Sequence, residues 1–136
     1  MGYLEELRKR GCEANPFFRL MGIDPVSFGQ GEAELSMQVR PDMLNGAGWL
    51  QGGIFTALCD EAMALALFTT LEDDTRIATI SESTSFLQGV RDGLVVARGK
   101  VIRKGRQVAF TDGFVSDEGG MTLSQTQASF MILPRR

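Results

Sequence analysis

The spacing of apolar and polar residues predicts two short helices at the start of the chain. In residues 3–10, acidic side chains precede basic ones at helical spacing, and Asn15-Pro16 is typical of the cap and first turn of a second helix over residues 17–21. We interpret residues 1–22 as an N-terminal helical segment of one domain spanning residues 1–136, because this length suffices for a single core.

Strand patterns follow the N-terminal segment. Apolar and polar residues alternate between residues 33 and 39, which predicts a half-buried strand, and residues 23–28 precede it across the turn Gly29-Gln30-Gly31. Four more strands are predicted after residue 75, and the short turns between them favour antiparallel neighbours. These strands are predicted at residues 76–87, 94–103, 107–116 and 121–133.

Residues 54–68 are almost wholly apolar and predict one long helix that begins near Gly52-Gly53 and continues to about residue 70. A helix that is apolar around its circumference is buried on all sides. Since five or six antiparallel strands accompany it, the pattern predicts an α+β fold with the sheet wrapped around one long central helix.

Two adjacent carboxylates, Asp60 and Glu61, interrupt this apolar helix. No lysine or arginine stands three or four residues away from either acid, so neither has a basic partner on the helix. An ionised carboxylate buried without a partner is costly unless its pKa rises. At least one of the two acids therefore faces water, a subunit interface or a substrate. We favour Asp60 as the functional acid and expect Glu61 to point to solvent or to a subunit contact.

Composition excludes several function classes. The chain has no histidine, which excludes His-based triads, Cys–His dyads and histidine-ligated zinc, so acid–base chemistry falls to carboxylates, amides, hydroxyls and backbone groups. We expect no metal and no cofactor. The net charge of −3 argues against nucleic acid as the main partner, and Cys12 and Cys59 do not suggest a disulfide scaffold. We expect no membrane span, because Asp60 and Glu61 interrupt the only long apolar run, and a cytoplasmic location, because the N-terminus lacks an apolar signal segment.

The pattern Asn45-x5-Gln51-Gly52-Gly53-x6-Asp60 resembles the Asn-x5-His-Gly-Gly-x6-Asp signature of hotdog-fold acyl-CoA thioesterases of the phenylacetate-degradation type. The resemblance covers residues 17–133 and implies a hotdog fold and hydrolysis of a small or aromatic acyl-CoA. One position departs from the signature, since Gln51 stands where the family usually has histidine. A glutamine donates and accepts hydrogen bonds but carries no proton at neutral pH.

The resemblance implies a role for each residue of the signature. The N–H of Gly52 polarises the thioester carbonyl, which agrees with the ability of helix N-termini to stabilise negative charge on oxygen. Asp60 acts as nucleophile or as general base on water, Asn45 and Gln51 orient the reacting groups, and Thr79 on the following strand assists. Further candidates for contact with the substrate are Gly53, Trp49, Arg103, Lys104 and Arg106.

Simpler interpretations stay open for several of these residues. Asn45 precedes a glycine and is a good turn former. Thr79 and its alternates, Ser81 and Ser83, fit equally well as ordinary strand residues. Trp49 is equally suited to a core or an interface. The positive cluster at residues 103–106 suits the phosphates of coenzyme A, but a charged hairpin is more often a solvated turn.

Reach along the helix predicts a second subunit. Asp60 lies eight residues beyond Gly52, which is about 12 Å along the axis at 1.5 Å per residue. A carbonyl bound at Gly52 is therefore too far from Asp60 of the same chain for direct attack. We expect a homodimer with two composite sites, and the resemblance implies that such dimers can pair again.

Two other functions are compatible with the pattern. A non-catalytic acyl-CoA-binding or regulatory hotdog protein is favoured by the substitution at Gln51. A hotdog dehydratase or hydratase ranks last, because those enzymes use a catalytic histidine and this chain has none.

Overall fold

The computed structural model describes residues 2–134 and contains one antiparallel sheet wrapped around a central helix. The helices are α1 (Tyr3–Arg10), α2 (Pro16–Met21) and α3 (Gly52–Phe68), with 3-10 turns at Gly11–Ala14 and Pro41–Met43. The strands are β1 (Ile23–Gly29), β2 (Glu32–Gln38), β3 (Arg76–Phe86), β4 (Leu94–Lys104), β5 (Val108–Asp117) and β6 (Thr122–Leu133). The α+β prediction from the sequence is confirmed.

The six strands lie in the order β1-β2-β4-β5-β6-β3, and every neighbouring pair is antiparallel. The short turns form the expected hairpins β1–β2, β4–β5 and β5–β6. The connection from β3 to β4 forms no hairpin, because β3 pairs with β6 at the far edge of the sheet and β4 pairs with β2. Thus β1 and β3 are the two edge strands.

Helix α3 packs against the inner face of the sheet and supplies one side of the core. Eight of its seventeen residues are buried: Phe55, Leu58, Cys59, Ala62, Met63, Leu65, Ala66 and Leu67. The facing strands bury apolar side chains such as Leu35, Val95 and Phe130. Full burial of each large apolar side chain contributes about 1.5–3 kcal/mol. No helix within residues 2–134 is long and apolar enough to cross a membrane.

Two paired strand glycines allow α3 to lie directly on the sheet. Gly99 of β4 is opposite Gly113 of β5. A Cβ added at Gly99 would lie 2.6 Å from the carbonyl carbon of Ala62, and one added at Gly113 would lie 2.5 Å from Sγ of Cys59. The absence of side chains at this point sets the distance between helix and sheet.

The N-terminal segment packs against the core through α1 and α2. Asn15 caps α2, as its side-chain oxygen accepts hydrogen bonds from the backbone N–H groups of Phe17 (3.0 Å) and Phe18 (3.2 Å). Leu7 and Phe18 are buried, and the ring of Tyr3 meets that of Phe68 edge to face. The segment therefore forms part of the core around α3.

The close contact at Gly99 gives a testable prediction. We expect Gly99→Ala to lower the free energy of unfolding by about 1–3 kcal/mol, because its methyl group meets the backbone of α3, which can move only with the helix. Denaturant unfolding at a fixed protein concentration measures the loss. Gly29→Ala is the matched control, since a Cβ at Gly29 meets no atom within 4 Å. Equal stability of the two variants would contradict the packing described here.

Candidate active site

Helix α3 begins with backbone N–H groups that no side chain caps. Gln51 occupies the N-cap position in an extended conformation without a side-chain capping hydrogen bond, and Gly52 and Gly53 form the first turn. The first N–H groups of a helix have no partner within the helix and carry a partial positive charge. The start of α3 is therefore suited to hold a carbonyl or carboxylate oxygen.

The two glycines leave space between neighbouring side chains. A Cβ added at Gly52 would lie 3.4 Å from Cε1 of Phe86, and one added at Gly53 would lie 2.8 Å from Oε1 of Gln51. Phe86 is 58% exposed and packs edge to face on Phe55, with 6.2 Å between ring centroids. Phe86 was not singled out from the sequence, because only the pairing of β3 brings it to the helix start.

Asp60 is half-buried on the side of α3 that faces β3. The hydroxyl of Thr79 donates a hydrogen bond to Oδ1 of Asp60 over 3.2 Å, so the structure brings together two residues that the sequence had linked. None of the ion pairs found in residues 2–134 includes Asp60. This carboxylate is therefore held by a hydroxyl and is not neutralised by a cation of that part of the chain.

A second carboxyl, that of Glu82 on β3, also contacts Asp60. Glu82 is an exposed residue, but partial burial of its carboxyl raises the pKa to about 7, and the hydrogen bond and the negative charge of Asp60 act in the same direction. Glu82 was not singled out from the sequence, because no neighbouring residue distinguishes it from a solvent-facing strand residue. Proximity of two carboxyl groups is the arrangement in which proteins keep one of them protonated near neutral pH.

Glu61 lies on a different side of α3 from Asp60. Its carboxyl is hydrogen-bonded to the Asn15 side chain of the N-terminal segment, so within this chain it does not point simply to solvent. Burial, followed by the charge of Asp60, raises the pKa of Glu61 to about 7, although the bond from Asn15 opposes the shift. The neighbouring hydroxyl of Tyr3 accepts a hydrogen bond from Nδ2 of Asn15 over 2.8 Å.

Strand β3 runs alongside α3 in the opposite direction and connects the two parts of the site. Thr79 contacts Asp60, and further along the strand the hydroxyls of Thr84 and Thr56 are 2.8 Å apart. Phe86, at the end of the strand, reaches the start of the helix. Contacts between β3 and α3 therefore follow the helix from the carboxyl groups to the uncapped N–H groups.

Asn45 and Trp49 belong to the loop that leads into α3. The side-chain oxygen of Asn45 accepts hydrogen bonds from the N–H groups of Ala47 (2.9 Å) and Trp49 (3.1 Å), so Asn45 fixes the loop itself. The guanidinium of Arg91 lies 3.9 Å from the centroid of the Trp49 ring, and a Cβ at Gly89 would meet the same ring at 2.9 Å. Arg91 was not singled out from the sequence, because its partner Trp49 lies in a different loop.

The positive hairpin lies at the other end of α3. Nζ of Lys104 donates to the carbonyl oxygen of Thr70 over 2.9 Å, which satisfies a backbone acceptor just after the helix. The exposed Arg103 and Arg106 flank this contact in sequence. Since α3 has seventeen residues, its two ends are about 24 Å apart, and the structure does not bring this cluster to Gly52 of the same chain.

Comparison with known proteins identifies the family. Residues 47–124, more than half of the chain, match the thioesterase superfamily. The chain belongs to this superfamily.

Two solved structures show how closely the fold of this thioesterase follows that of relatives. A conserved protein of Pseudomonas aeruginosa is 28% identical with a TM-score of 0.83, over 88% of this chain and 94% of that chain. A mutant form of the phenylacetic acid degradation protein PaaI from Thermus thermophilus is 26% identical with a TM-score of 0.81, over 88% of this chain and 100% of that one. The hotdog fold and the resemblance to the phenylacetate-degradation type are confirmed.

A curated relative of the thioesterase carries a more specific name. The 1,4-dihydroxy-2-naphthoyl-CoA hydrolase of Listeria monocytogenes is 22% identical over 116 residues, which are 85% of this chain and 94% of the relative. Together with the family match, this similarity supports the prediction that the protein is a thioester hydrolase.

The raised pKa of Glu61 gives a prediction about the stability of the thioesterase. A carboxyl with a higher pKa in the folded state favours folding when protonated, so wild-type stability falls as the pH rises from about 4.5, the unfolded value, to about 7. Across this pH interval, we expect the free energy of unfolding of Glu61→Gln to rise relative to that of the wild type by on the order of 3 kcal/mol. The reason is that the amide keeps a neutral side chain beside Asn15. Unfolding by urea at pH 4.5, 6 and 8 measures the difference; a constant difference would contradict it.

Proposed function

We propose that the protein hydrolyses a small or aromatic acyl-CoA to the free acid and coenzyme A. The observation that carries the proposal is the row of contacts between β3 and α3, which has the Thr79–Asp60 pair at one end and the uncapped start of α3 at the other. The name of the Listeria relative supports an acyl-CoA substrate and an aromatic acyl group. Phe86 supplies an exposed aromatic surface next to Gly52 for such a group.

The proposed chemistry combines the positive start of α3 in one subunit with the Asp60 carboxylate of a second subunit. The N–H of Gly52 polarises the thioester carbonyl and stabilises the oxyanion that forms on its oxygen. Asp60 attacks the carbonyl carbon or removes a proton from the water that attacks it, and both routes need the ionised carboxylate that Thr79 orients. The carbon–sulfur bond then breaks, and the electron pair leaves on sulfur, which takes up a proton to give the coenzyme A thiol. On the nucleophilic route, water then hydrolyses the anhydride between Asp60 and the acyl group and frees the acid.

A homodimer with composite sites completes this proposal. Strand β3 is a sheet edge of eleven residues, and two of its large apolar side chains, Ile80 (51%) and Phe86, are exposed. A long edge strand with apolar side chains favours pairing with another chain. Since Gly52 and Asp60 of one helix are about 12 Å apart, a second α3 alongside the first would supply the missing partner. The mass of the protein in solution distinguishes a dimer from a tetramer formed by two dimers.

The remaining candidate residues have supporting roles in the proposal. Gln51 lies over Gly53, where its amide can bond to the reacting groups in place of the histidine of relatives. Asn45 and Trp49 shape the loop before α3, and Trp49 with Gly53 borders the substrate. The cluster Arg103, Lys104 and Arg106 is assigned to the phosphates of coenzyme A bound at a composite site, because the cluster lies at the far end of α3 from Gly52 of its own chain.

A substitution tests the role proposed for Asp60. We expect Asp60→Asn to lower kcat by at least about 100-fold, because an amide neither attacks a carbonyl nor takes a proton from water. The measurement is hydrolysis of a panel of aliphatic and aryl-CoA thioesters, with circular dichroism and mass in solution to show that the fold is kept.

Glu61→Gln is the matched control for this variant, since it changes the adjacent acid, which bonds to Asn15 of the N-terminal segment. We expect it to keep wild-type turnover. Substantial activity in Asp60→Asn would contradict the role of Asp60. Binding of acyl-CoA without hydrolysis of any panel member by the wild type would instead favour the non-catalytic acyl-CoA-binding alternative.

A charge placed on the edge strand β3 tests the proposed dimer. We expect Ile80→Asp to convert the dimer to monomers and to abolish hydrolysis, because a charge on the β3 edge opposes burial against a second chain. Analytical ultracentrifugation gives the mass. Ile102→Asp, on β4 and similarly exposed (53%), is the control and should produce no monomer. An active wild-type monomer would contradict the composite site.

A further inference from the structure

A β-bulge in β3 sets which side chains face Asp60. The register between β3 and β6 shifts between Thr79 and Ser81, so Ile80 is the extra residue. Residues three apart in a regular strand point to opposite faces of the sheet. A bulge inserts one residue and restores the same face, which is how Thr79 and Glu82 both come to contact Asp60.

We propose that Glu82, in its protonated form, is a positioning residue that donates a hydrogen bond to the Asp60 carboxylate and holds it for hydrolysis. Thr79 donates the other hydrogen bond, to Oδ1 of Asp60. With two donors fixing it from one strand, the carboxylate has its remaining lone pairs aligned for the carbonyl carbon or for water. The inference rests on the function proposed above for Asp60.

The groups that surround Glu82 favour the protonated form. From α3, the Asp60 carboxylate faces it, and the nearby Cys59 thiol is neutral because burial raises its pKa to about 12. From β6, the residues beside Glu82 in the sheet are the uncharged Ala128 and Gln127. Within residues 2–134, burial and Asp60 raise the pKa of Glu82, and no cation is among the groups that shift it.

Loss of this proton has two consequences for the reaction. The ionised Glu82 no longer donates to Asp60, so the carboxylate loses one of its two fixed contacts. A second negative charge also appears beside the place where the oxyanion forms, which opposes its formation. Because burial and Asp60 raise the pKa of Glu82 to about 7, activity should fall as the pH rises through that value.

Two substitutions separate a proton-dependent role from a structural one. Glu82→Met removes the donor, and we expect kcat/KM at pH 6 to fall about tenfold or more for the panel thioester that the wild type hydrolyses fastest. Glu82→Gln keeps a neutral donor at every pH. We expect it to rescue most of the activity that the methionine variant loses and to abolish the decline that the wild type shows between pH 7 and 9.

Glu61→Gln is the control for the pH profile, because Glu61 is the other carboxyl beside Asp60 whose pKa is raised to about 7. It should keep the alkaline decline. A decline that persists in Glu82→Gln, or that disappears in Glu61→Gln, would overturn the assignment to Glu82. The assignment would also be overturned if Glu82→Met were as active as the wild type at pH 6.

A direct titration keeps this inference separate from the proposed function. Carbon NMR of labelled glutamate side chains should show Glu82 titrating near pH 7 in the wild type and at a lower pH in Asp60→Asn, because the substitution removes the neighbouring charge and leaves the burial that also raises this pKa. An ordinary value in the wild type would refute the shared proton. If Asp60→Asn stays active while Glu82 titrates as described, the carboxyl pair exists and the proposed role of Asp60 is the part that fails.

Discussion

The burial of α3 inside a curved sheet is the constraint on which the rest of the structure depends. A helix lined with Leu58, Met63 and Leu67 gains its stability from contact with the sheet, and the paired glycines of β4 and β5 bring the two into direct contact. A carboxylate on such a helix is tolerated only where the sheet leaves an opening. The edge beside β3 is that opening, and Asp60 lies there with hydrogen-bonding neighbours.

The same constraint gives the two adjacent acids different chemistry. Asp60 and Glu61 differ by about 100° around the helix axis, so one meets the sheet edge and the other meets the N-terminal segment. Glu61 is hydrogen-bonded to a capping asparagine and takes part in the packing of that segment. Asp60 has a hydroxyl and a second carboxyl as neighbours, an environment that suits proton transfer. Position on the helix, rather than residue type, distinguishes them.

The absence of histidine limits the means by which this thioesterase can control protons. Relatives of the resembled type usually have histidine where this chain has Gln51, and an amide at this position supplies hydrogen bonds but no titration near pH 7. The Glu82 carboxyl, held near Asp60 by the bulge in β3, is a group of this chain that titrates in that range. Burial and a neighbouring charge thus give a carboxyl the pKa that imidazole has without assistance.

The sequence by itself determined the local elements and the residues of the signature. Apolar periodicity and turn residues gave the bounds of α1, α3 and the strands to within a few residues, because these signals act over short stretches of chain. The spacing from Asn45 to Asp60 was sufficient to indicate the family, and the position of Thr79 beside Asp60 was anticipated through that resemblance.

Only the tertiary structure decided which distant residues meet. The pairing of β3 with β6 depends on contacts between segments about fifty residues apart, and no turn sequence encodes it. One extra residue at Ile80 reverses the face of everything beyond it, so the contact of Glu82 with Asp60 could not be deduced from alternation. The contacts of Glu61 with Asn15 and of Lys104 with Thr70 likewise arise when separate elements pack around α3. Local patterns specify elements, whereas the relative placement of elements specifies the site.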